Sequence, residues 1–152
     1  MTDREMLRET LAGIGASNTS HSGRKLVDHL LNTYDMLVAA GCPRDVCLAG
    51  GLHSIYGTNA FRHVSTEDRL PVRERFGEAA EHLAHLFCTI NRPRGLNDNR
   101  PISWRTGAKV SLDDETLHKL RMIEAANLIE QGESVSRFPR IMDAWNGAMQ
   151  CH

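Results

Sequence analysis

The sequence predicts an all-α fold, and three observations support this prediction. Apolar residues recur at the three- and four-residue spacing of a helix in several segments, most clearly over 24–40. No segment alternates apolar and polar residues with the period of two that is typical of a half-buried strand. Glycine, proline and capping residues divide the chain into about six helical segments. A chain of 152 residues is long enough for one domain with a substantial core but short for two, which predicts a single domain over 1–152.

The first two helices are indicated by the residues at their ends. Thr2 and Glu5 have the spacing of a capping box, which predicts a helix from this point to about Gly13. A loop rich in glycine, serine and asparagine follows. The second helix is predicted over 24–40, and Gly41 is suited to end it because glycine readily adopts the left-handed conformation found there.

The remaining helices are predicted over four segments: 43–56, 71–90, 111–131 and 140–151. Two of them begin with proline, which is favoured in the first helical turn because its missing N–H has no partner there in any case. The helix over 71–90 has an apolar stripe that we expect to be buried. Its other side carries Glu81 and His85, which we expect to face solvent. The segment between 92 and 111 is predicted to be an irregular loop.

Composition excludes several classes of function. The formal net charge is -1, with 24% charged and 41% hydrophobic residues, so the overall balance favours neither nucleic acid nor a membrane surface as a partner. No apolar run approaches the roughly 20 residues of a membrane span. The N-terminus is polar and acidic rather than basic and then apolar, which predicts a cytoplasmic protein. The four cysteines form no metal-binding pair and are expected to be free thiols.

Several stretches then resemble a known family in their order and spacing. They are "SGRKLVDH" (22–29), "LAGGLHSIYGT" (48–58), "VRERFGEAAEHLAHLF" (72–87) and "MIEAANLIEQ" (122–131). They are similar to the motifs of the HD hydrolase domain of RelA/SpoT-type alarmone enzymes, and the spacing from His29 to His53 matches that family's first two histidine ligands. The resemblance is strongest over 22–131. It implies a single compact HD-domain-like helical bundle.

The resemblance also implies a metal site, although half of its ligands are replaced. The family holds a metal ion, typically manganese, with two histidines and two aspartates. The histidines correspond to His29 and His53, whereas Ser54 and Asn127 stand where the aspartates would be. A divalent transition metal (zinc, iron or manganese) is therefore the expected cofactor, and two neutral histidines favour zinc or ferrous iron over manganese. A third ligand is expected from Glu124 or from His21.

The catalytic carboxylates of the family are replaced as well. Its Glu-Asp pair corresponds to Gly57 and Thr58, so the chain is not expected to be a competent alarmone hydrolase. Two mechanisms stay open. In one, a metal ion activates water or polarises an oxygen. In the other, His53 or His29 is a general acid or base and Tyr56 or Asn127 stabilises developing charge, with Thr58 at the same pocket. Alternatively, His53 is a hydrogen-bonded core residue.

The loop over 92–111 carries five cations and Trp104 against a single acidic residue. It is either a lid over an anionic substrate or a solvated surface loop. In the first case Arg105, together with Arg24 and Ser54, is expected to bind the substrate. We therefore expect an enzyme that acts on a small polar or anionic metabolite; the alternative is a non-catalytic ligand-binding or regulatory module. The amphipathic last helix permits a homodimer.

Overall fold

The computed structural model describes residues 1–21 and 23–150. Ser22, the first residue of the "SGRKLVDH" motif, and Cys151, the predicted end of the last helix, lie outside the described residues. Over the described ranges the protein is mostly helical, so the all-α prediction is confirmed. The α-helices are α1 (Asp3–Gly13), α2 (Leu26–Ala39), α3 (Arg44–Gly51), α4 (Arg69–Phe76), α5 (Glu78–Thr89), α6 (Arg94–Asn97), α7 (Asp114–Glu130) and α8 (Pro139–Gln150). A 3₁₀ turn (Ala16–Asn18) and strands β1 (Ser20–His21) and β2 (Arg24–Lys25) complete the secondary structure.

The long helix predicted over 71–90 is two helices, α4 and α5, that meet at Gly77. This glycine has φ 92° and ψ 157°, a combination that no residue with a side chain adopts readily. Helix α4 also begins before Pro71, because the Asp68 side chain accepts a hydrogen bond from the backbone N–H of Leu70 and caps it. The expected single helix therefore bends sharply where the glycine interrupts it.

The helix predicted from 24 begins instead at Leu26, after an antiparallel pair of strands with two residues each. Ser20 pairs with Lys25 and His21 pairs with Arg24 in antiparallel register. The backbone N–H of Leu26 donates to the carbonyl of Thr19 at 2.8 Å, which fixes the hairpin to the start of α2. A pair of two-residue strands is too short to show the alternation that predicts a strand. The hairpin places His21 beside α2.

Helices α2, α3, α5 and α7 surround the core, and the small residues of α3 allow close packing. A Cβ atom at Gly50 would lie 2.2 Å from Cδ1 of Leu37, and one at Gly51 would lie 2.7 Å from Cδ1 of Leu7. Leucine side chains of α1 and α2 therefore fill the space that the two glycines leave open. Within the described residues, no helix has both the length and the apolar character needed to cross a membrane.

Glu81 is buried, contrary to the expectation of a solvated side. It is 0% exposed, and its carboxylate accepts hydrogen bonds from Arg69 at 2.8 Å and Arg73 at 3.2 Å. A buried carboxylate requires such partners because its desolvation is otherwise too unfavourable. The break at Gly77 makes this possible, since it folds the arginines of α4 back over α5.

Candidate functional site

Two buried histidines face each other in the interior of the protein. His29 lies in the first turn of α2 and is 0% exposed, and His53 lies in the turn that follows α3 and is 2% exposed. Their Nε2 atoms are 3.2 Å apart, and the two rings are nearly perpendicular. The packing of α2 against α3 therefore brings together the pair that the 24-residue spacing singled out.

The hydrogen bonds of the two rings fix their tautomers. Nδ1 of His29 lies 2.5 Å from the Glu130 carboxylate, and Nδ1 of His53 lies 2.7 Å from the carbonyl oxygen of Gly50. Because a carbonyl and an ionised carboxylate only accept, both Nδ1 atoms must carry the proton. Burial, followed by the nearby charge of His29, lowers the pKa of His53 well below its usual value, so His53 is neutral. The Nε2 atom of His53 therefore presents a lone pair.

Asn127 of α7 completes the arrangement. Its Oδ1 atom lies 2.9 Å from Nε2 of His29, and its Nδ2 group donates to Glu124 at 2.9 Å. The bond to the carboxylate fixes which end of the amide faces the histidines, since only Nδ2 can donate. The amide is 3% exposed, which agrees with the prediction that it is buried and requires hydrogen-bond partners.

The Nε2 atom of His53 and the Oδ1 atom of Asn127 consequently both lie close to Nε2 of His29. With both Nδ1 atoms protonated, Nε2 of His29 lies 3.2 Å from Nε2 of His53 and 2.9 Å from Oδ1 of Asn127. Lone pairs this close repel one another unless a proton or a cation lies among them. Ligands of a tetrahedral zinc ion, with bonds of about 2.0–2.1 Å, are roughly 3.3 Å apart. The observed separations are therefore of the size that a shared metal ion requires. An imidazolium at His29 that donates to Asn127 also satisfies them.

Glu124 does not join the histidines as the third ligand, which corrects that expectation. Its carboxylate is 0% exposed and is bound by the Arg92 guanidinium through Nε and, at 2.8 Å, through Nη2. Among the described residues, no three His, Cys, Asp or Glu side chains converge to hold a metal ion. Asn127, and not Glu124, is in contact with His29, and Glu124 orients the Asn127 amide. Arg92, predicted only as one cation of the loop, neutralises this buried carboxylate.

Glu130 is a functional residue that the sequence reasoning missed. Besides His29 it is bound by Arg24 and, at 3.2 Å, by Asn32. Burial would raise the pKa of Glu130, but the hydrogen bonds from Arg24, His29 and Asn32 outweigh it and lower the pKa. Its position three residues after Asn127, on the same side of α7, was the available signal. Arg24, expected to bind substrate, instead holds this carboxylate.

His21 folds back onto His29, as expected, but it stacks on the ring rather than meeting its nitrogens. The two ring centroids are 4.4 Å apart with an interplanar angle of 5°. Burial, followed by the charges of His29 and Arg24, lowers the pKa of His21 to about 4. His21 is therefore a neutral wall of the site rather than the third ligand.

A cavity of about 640 Å³ is lined by one member of the pair, His53, and by His21, whereas His29 lies behind them. Its aromatic walls are Phe61, Phe87 and Phe138, and its cationic side chains are Arg92, Arg94 and Arg137. Ser54 and His21 also line it, and Ser54 Oγ and His21 Nδ1 are buried without a hydrogen-bond partner in the described part of the chain. Unpartnered buried polar atoms are rare in folded proteins. Since Arg92 is neutralised by Glu124, the guanidiniums of Arg94 and Arg137 stand against one carboxylate, Glu133, and the cavity is suited to a polar or anionic ligand.

The predicted site residues separate into two groups. Thr58 lines the same cavity as His53 and Ser54, in agreement with the prediction. Tyr56 and Arg105 line a different, smaller cavity, so neither is placed to act at His53. Burial, followed by the charge of Glu81, also raises the pKa of Tyr56 well above its usual value. Arg105 therefore does not form the expected lid over the histidines.

The fold and the site define an all-α protein with a buried histidine pair beside a cationic cavity. A family model described as a domain of unknown function (DUF6817) matches residues 10–92, which is more than half of the chain. The chain belongs to this family. No curated protein and no solved structure gives a match. The matched segment contains both histidines, whereas Asn127 and Glu130 lie beyond it.

Proposed function

We propose that this protein is an HD-like enzyme that acts on a small polar or anionic metabolite at the cavity beside His29 and His53. The observation that carries the proposal is the close approach, in a buried site, of His53 Nε2 and Asn127 Oδ1 to the Nε2 atom of His29. Both imidazoles donate their other N–H, one to a carboxylate and one to a backbone carbonyl. Metal-binding histidines are almost always oriented in this way.

The donor set fits a borderline transition metal better than a hard one. Two imidazole nitrogens and a neutral amide oxygen suit zinc or ferrous iron, whereas manganese and magnesium prefer carboxylates. Ser54 is buried at the same cavity, and its hydroxyl has no hydrogen-bond partner among residues 1–21 and 23–150. We therefore propose His29, His53 and Asn127 as the residues that hold the ion. When bound, such an ion lowers the pKa of a coordinated water or polarises an oxygen of the substrate.

The surrounding side chains have separate roles in this proposal. Glu130 fixes the ring of His29 and makes its Nε2 atom a better donor to a metal. Glu124 holds the amide of Asn127, and Ser54 Oγ is free to hydrogen-bond a substrate. Arg94 and Arg137 supply positive charge at the cavity for an anionic group. Alarmone hydrolysis is not proposed, because no carboxylate stands where the resembling family has its catalytic pair.

A metal-free mechanism is the second candidate, and the contact between His29 and Glu130 favours it. Glu130 holds Nδ1 of His29 and so orients the ring with Nε2 toward His53 and Asn127, where it can take and return a proton. His53 is neutral and accepts at Nε2. In this case Asn127 Oδ1 accepts a hydrogen bond from the Nε2–H group of His29 in the resting state. The two candidates use the same residues. They differ only in whether a metal ion or a proton lies between His29, His53 and Asn127.

Elemental analysis of the untagged protein, purified without chelator, distinguishes the candidates. Near-stoichiometric zinc or iron in the wild type, absent from His29→Ala/His53→Ala and retained in the exposed-residue control His118→Ala, supports the metal site. If the wild type and the double variant are equally free of metal and equally folded, the metal site is refuted and the acid–base candidate is left.

Catalysis itself is tested by incubating the wild type and His53→Ala with a panel of phosphorylated and carboxylated metabolites. Turnover by the wild type that is lost in the folded variant supports an enzyme. A compound that raises the melting temperature in proportion to its concentration but is never converted indicates the alternative, a non-catalytic ligand-binding module.

A further inference from the structure

A second cavity, of about 270 Å³, lies beside the turn that carries His53. Side chains of this turn are divided between the two cavities: Ser54 and Thr58 line the larger one, and Tyr56 lines the smaller one. The smaller cavity is close to the lower limit of about 300 Å³ for small-molecule sites. Its size therefore suits a compact group rather than an extended ligand.

Two guanidinium groups line this cavity and keep unused donors. Arg69 binds Glu81 through Nε and Nη2, and Arg105 donates through Nη2 to the carbonyl oxygens of Tyr56 at 3.0 Å and Gly57 at 3.4 Å. In the described part of the chain, neither Nη1 atom has a hydrogen-bond partner. The ring of Trp104 lies 4.2 Å from Cζ of Arg105 and supports that guanidinium from one side. Stacking of this kind fixes the orientation of an arginine fork.

The charges at this cavity do not balance. The buried carboxylate of Glu81 is shared by Arg69 and Arg73, and Arg105 has no carboxylate partner among the described residues. Glu67 is the acidic residue that lines the cavity itself, and it is exposed. Two guanidiniums, Arg69 and Arg105, and one carboxylate, Glu67, thus line the cavity, and with the Arg73–Glu81 contact behind them the cluster has three guanidiniums and two carboxylates. Burial, followed by the charge of Arg69, lowers the pKa of His85, so this imidazole adds no positive charge near neutral pH.

Neutral donors complete the lining. The Tyr56 hydroxyl is buried with no partner at full hydrogen-bond geometry in the described residues, and Tyr56 is 7% exposed. Burial raises the pKa of this hydroxyl, and the Glu81 carboxylate is near enough to raise it further. Thr66 accepts a hydrogen bond from the backbone of Asp68, which leaves its own hydroxyl proton free to donate. Guanidinium N–H groups together with hydroxyls are the donors with which proteins bind carboxylate and phosphate groups.

We propose that this second cavity binds a compact oxyanion, a carboxylate or phosphate group, through Arg69 and Arg105 with the hydroxyls of Tyr56 and Thr66. The site is distinct from the cavity beside the histidines and does not depend on the function proposed there. It accounts for two residues, Tyr56 and Arg105, that the sequence singled out and the histidine cavity does not use.

The test is a titration of the ¹⁵N-labelled protein with inorganic phosphate and, separately, with malonate, followed through the two indole N–H signals. The Trp104 indole donates to the carbonyl of Cys88 at 2.7 Å and lies beside the cavity, whereas Trp145 of α8 is an internal reference. We expect a saturable shift of the Trp104 signal and none of Trp145. The probe that saturates at the lower concentration identifies the preferred source, phosphate or carboxylate.

Variants make the result specific. Arg105→Gln is expected to raise the dissociation constant at least ~10-fold, which corresponds to the free energy of one charge-assisted hydrogen bond. Arg62→Gln is the matched control, since Arg62 stacks on the same indole at 5.1 Å without lining the cavity, and it should bind as the wild type does. Tyr56→Phe, which removes only the hydroxyl, should weaken binding by a smaller factor. The proposal is overturned if neither probe produces a saturable shift, or if Arg105→Gln and Arg62→Gln bind equally well.

Discussion

Replacing Arg92 with methionine is expected to destabilise the protein strongly. The substitution keeps an unbranched aliphatic stem like that of arginine but removes the cation bound to Glu124. That carboxylate is 0% exposed and the Arg92 side chain is 7% exposed, so water cannot substitute for the guanidinium. The negative charge of Glu124 would then be buried without compensation.

The size of the effect follows from this burial. Removing one partner of a buried ion pair destabilises a protein by about 3–5 kcal/mol. For a chain of 152 residues, each kcal/mol lowers the melting temperature by roughly 2–4 °C, so a fall of about 12 °C is expected. Replacing both partners, in Arg92→Met/Glu124→Met, removes the unpaired charge. It leaves the Nδ2 group of Asn127 without its acceptor, a residual loss of about 1–3 kcal/mol.

Urea denaturation followed by circular dichroism measures both variants. Arg94→Met is the control, since Arg94 is exposed, lies two residues away and forms no side-chain hydrogen bond among the described residues; its effect should stay within about 0.5 kcal/mol. The reasoning is refuted if Arg92→Met loses less than about 1 kcal/mol at an unchanged slope, or if the double variant is less stable than the single one.

Three further predictions concern packing, the histidine site and the thiols. Gly50→Ala should destabilise by about 1–3 kcal/mol, measured by urea denaturation, because its Cβ would lie 2.2 Å from the Leu37 side chain. Glu130→Gln should weaken zinc binding about 10- to 100-fold in calorimetric titrations, because the carboxylate no longer orients the histidine ring. Native Cys88 should resist iodoacetamide at pH 8 and react only after denaturation, as measured by mass spectrometry, because burial raises the pKa of its thiol to about 12.

Each of these has a matched control or a contradicting outcome. Gly147→Ala, inside α8 with no atom within 4 Å of the added Cβ, should be neutral or stabilising by up to about 1 kcal/mol. Glu133→Gln alters a carboxylate of the cavity that does not touch His29 and should leave zinc affinity nearly unchanged. Equal zinc affinity in both glutamine variants would contradict the role given to Glu130. Alkylation of native Cys88 as fast as a free thiol would contradict its burial.

Much of the helical fold could be predicted because periodicity and end residues act locally. The capping box at Thr2 forms as expected, with Glu5 donating its backbone N–H to Thr2 at 3.1 Å. The break at Gly77 was missed, since a glycine inside an apolar pattern is compatible with either a continuous helix or a sharp turn. Only the pairing of Glu81 with arginines of α4, a tertiary contact, decides between them.

The candidate site was predicted in part for a similar reason. His29, His53 and Asn127 were found through motif spacing, which reflects the way the helices pack. The partners of Glu124 and Glu130 could not be read from the sequence, because they are the arginines at 92 and 24, which are distant in the chain. Tyr56 was assigned to the wrong cavity because a turn of irregular backbone, and not a continued helix, sets the direction of its side chain.

Helix α7 carries three polar residues of the site at intervals of three residues: Glu124, Asn127 and Glu130. A helix turns by about 100° per residue, so inserting or deleting a single residue between 124 and 130 would rotate at least one of them away from its partner. Chain length should therefore be strictly constrained inside α7 and free to vary in the connection to α8, between Gln131 and Phe138. A library of single-residue insertions scored for folding and zinc content would record this as an abrupt change in tolerance at the end of the helix.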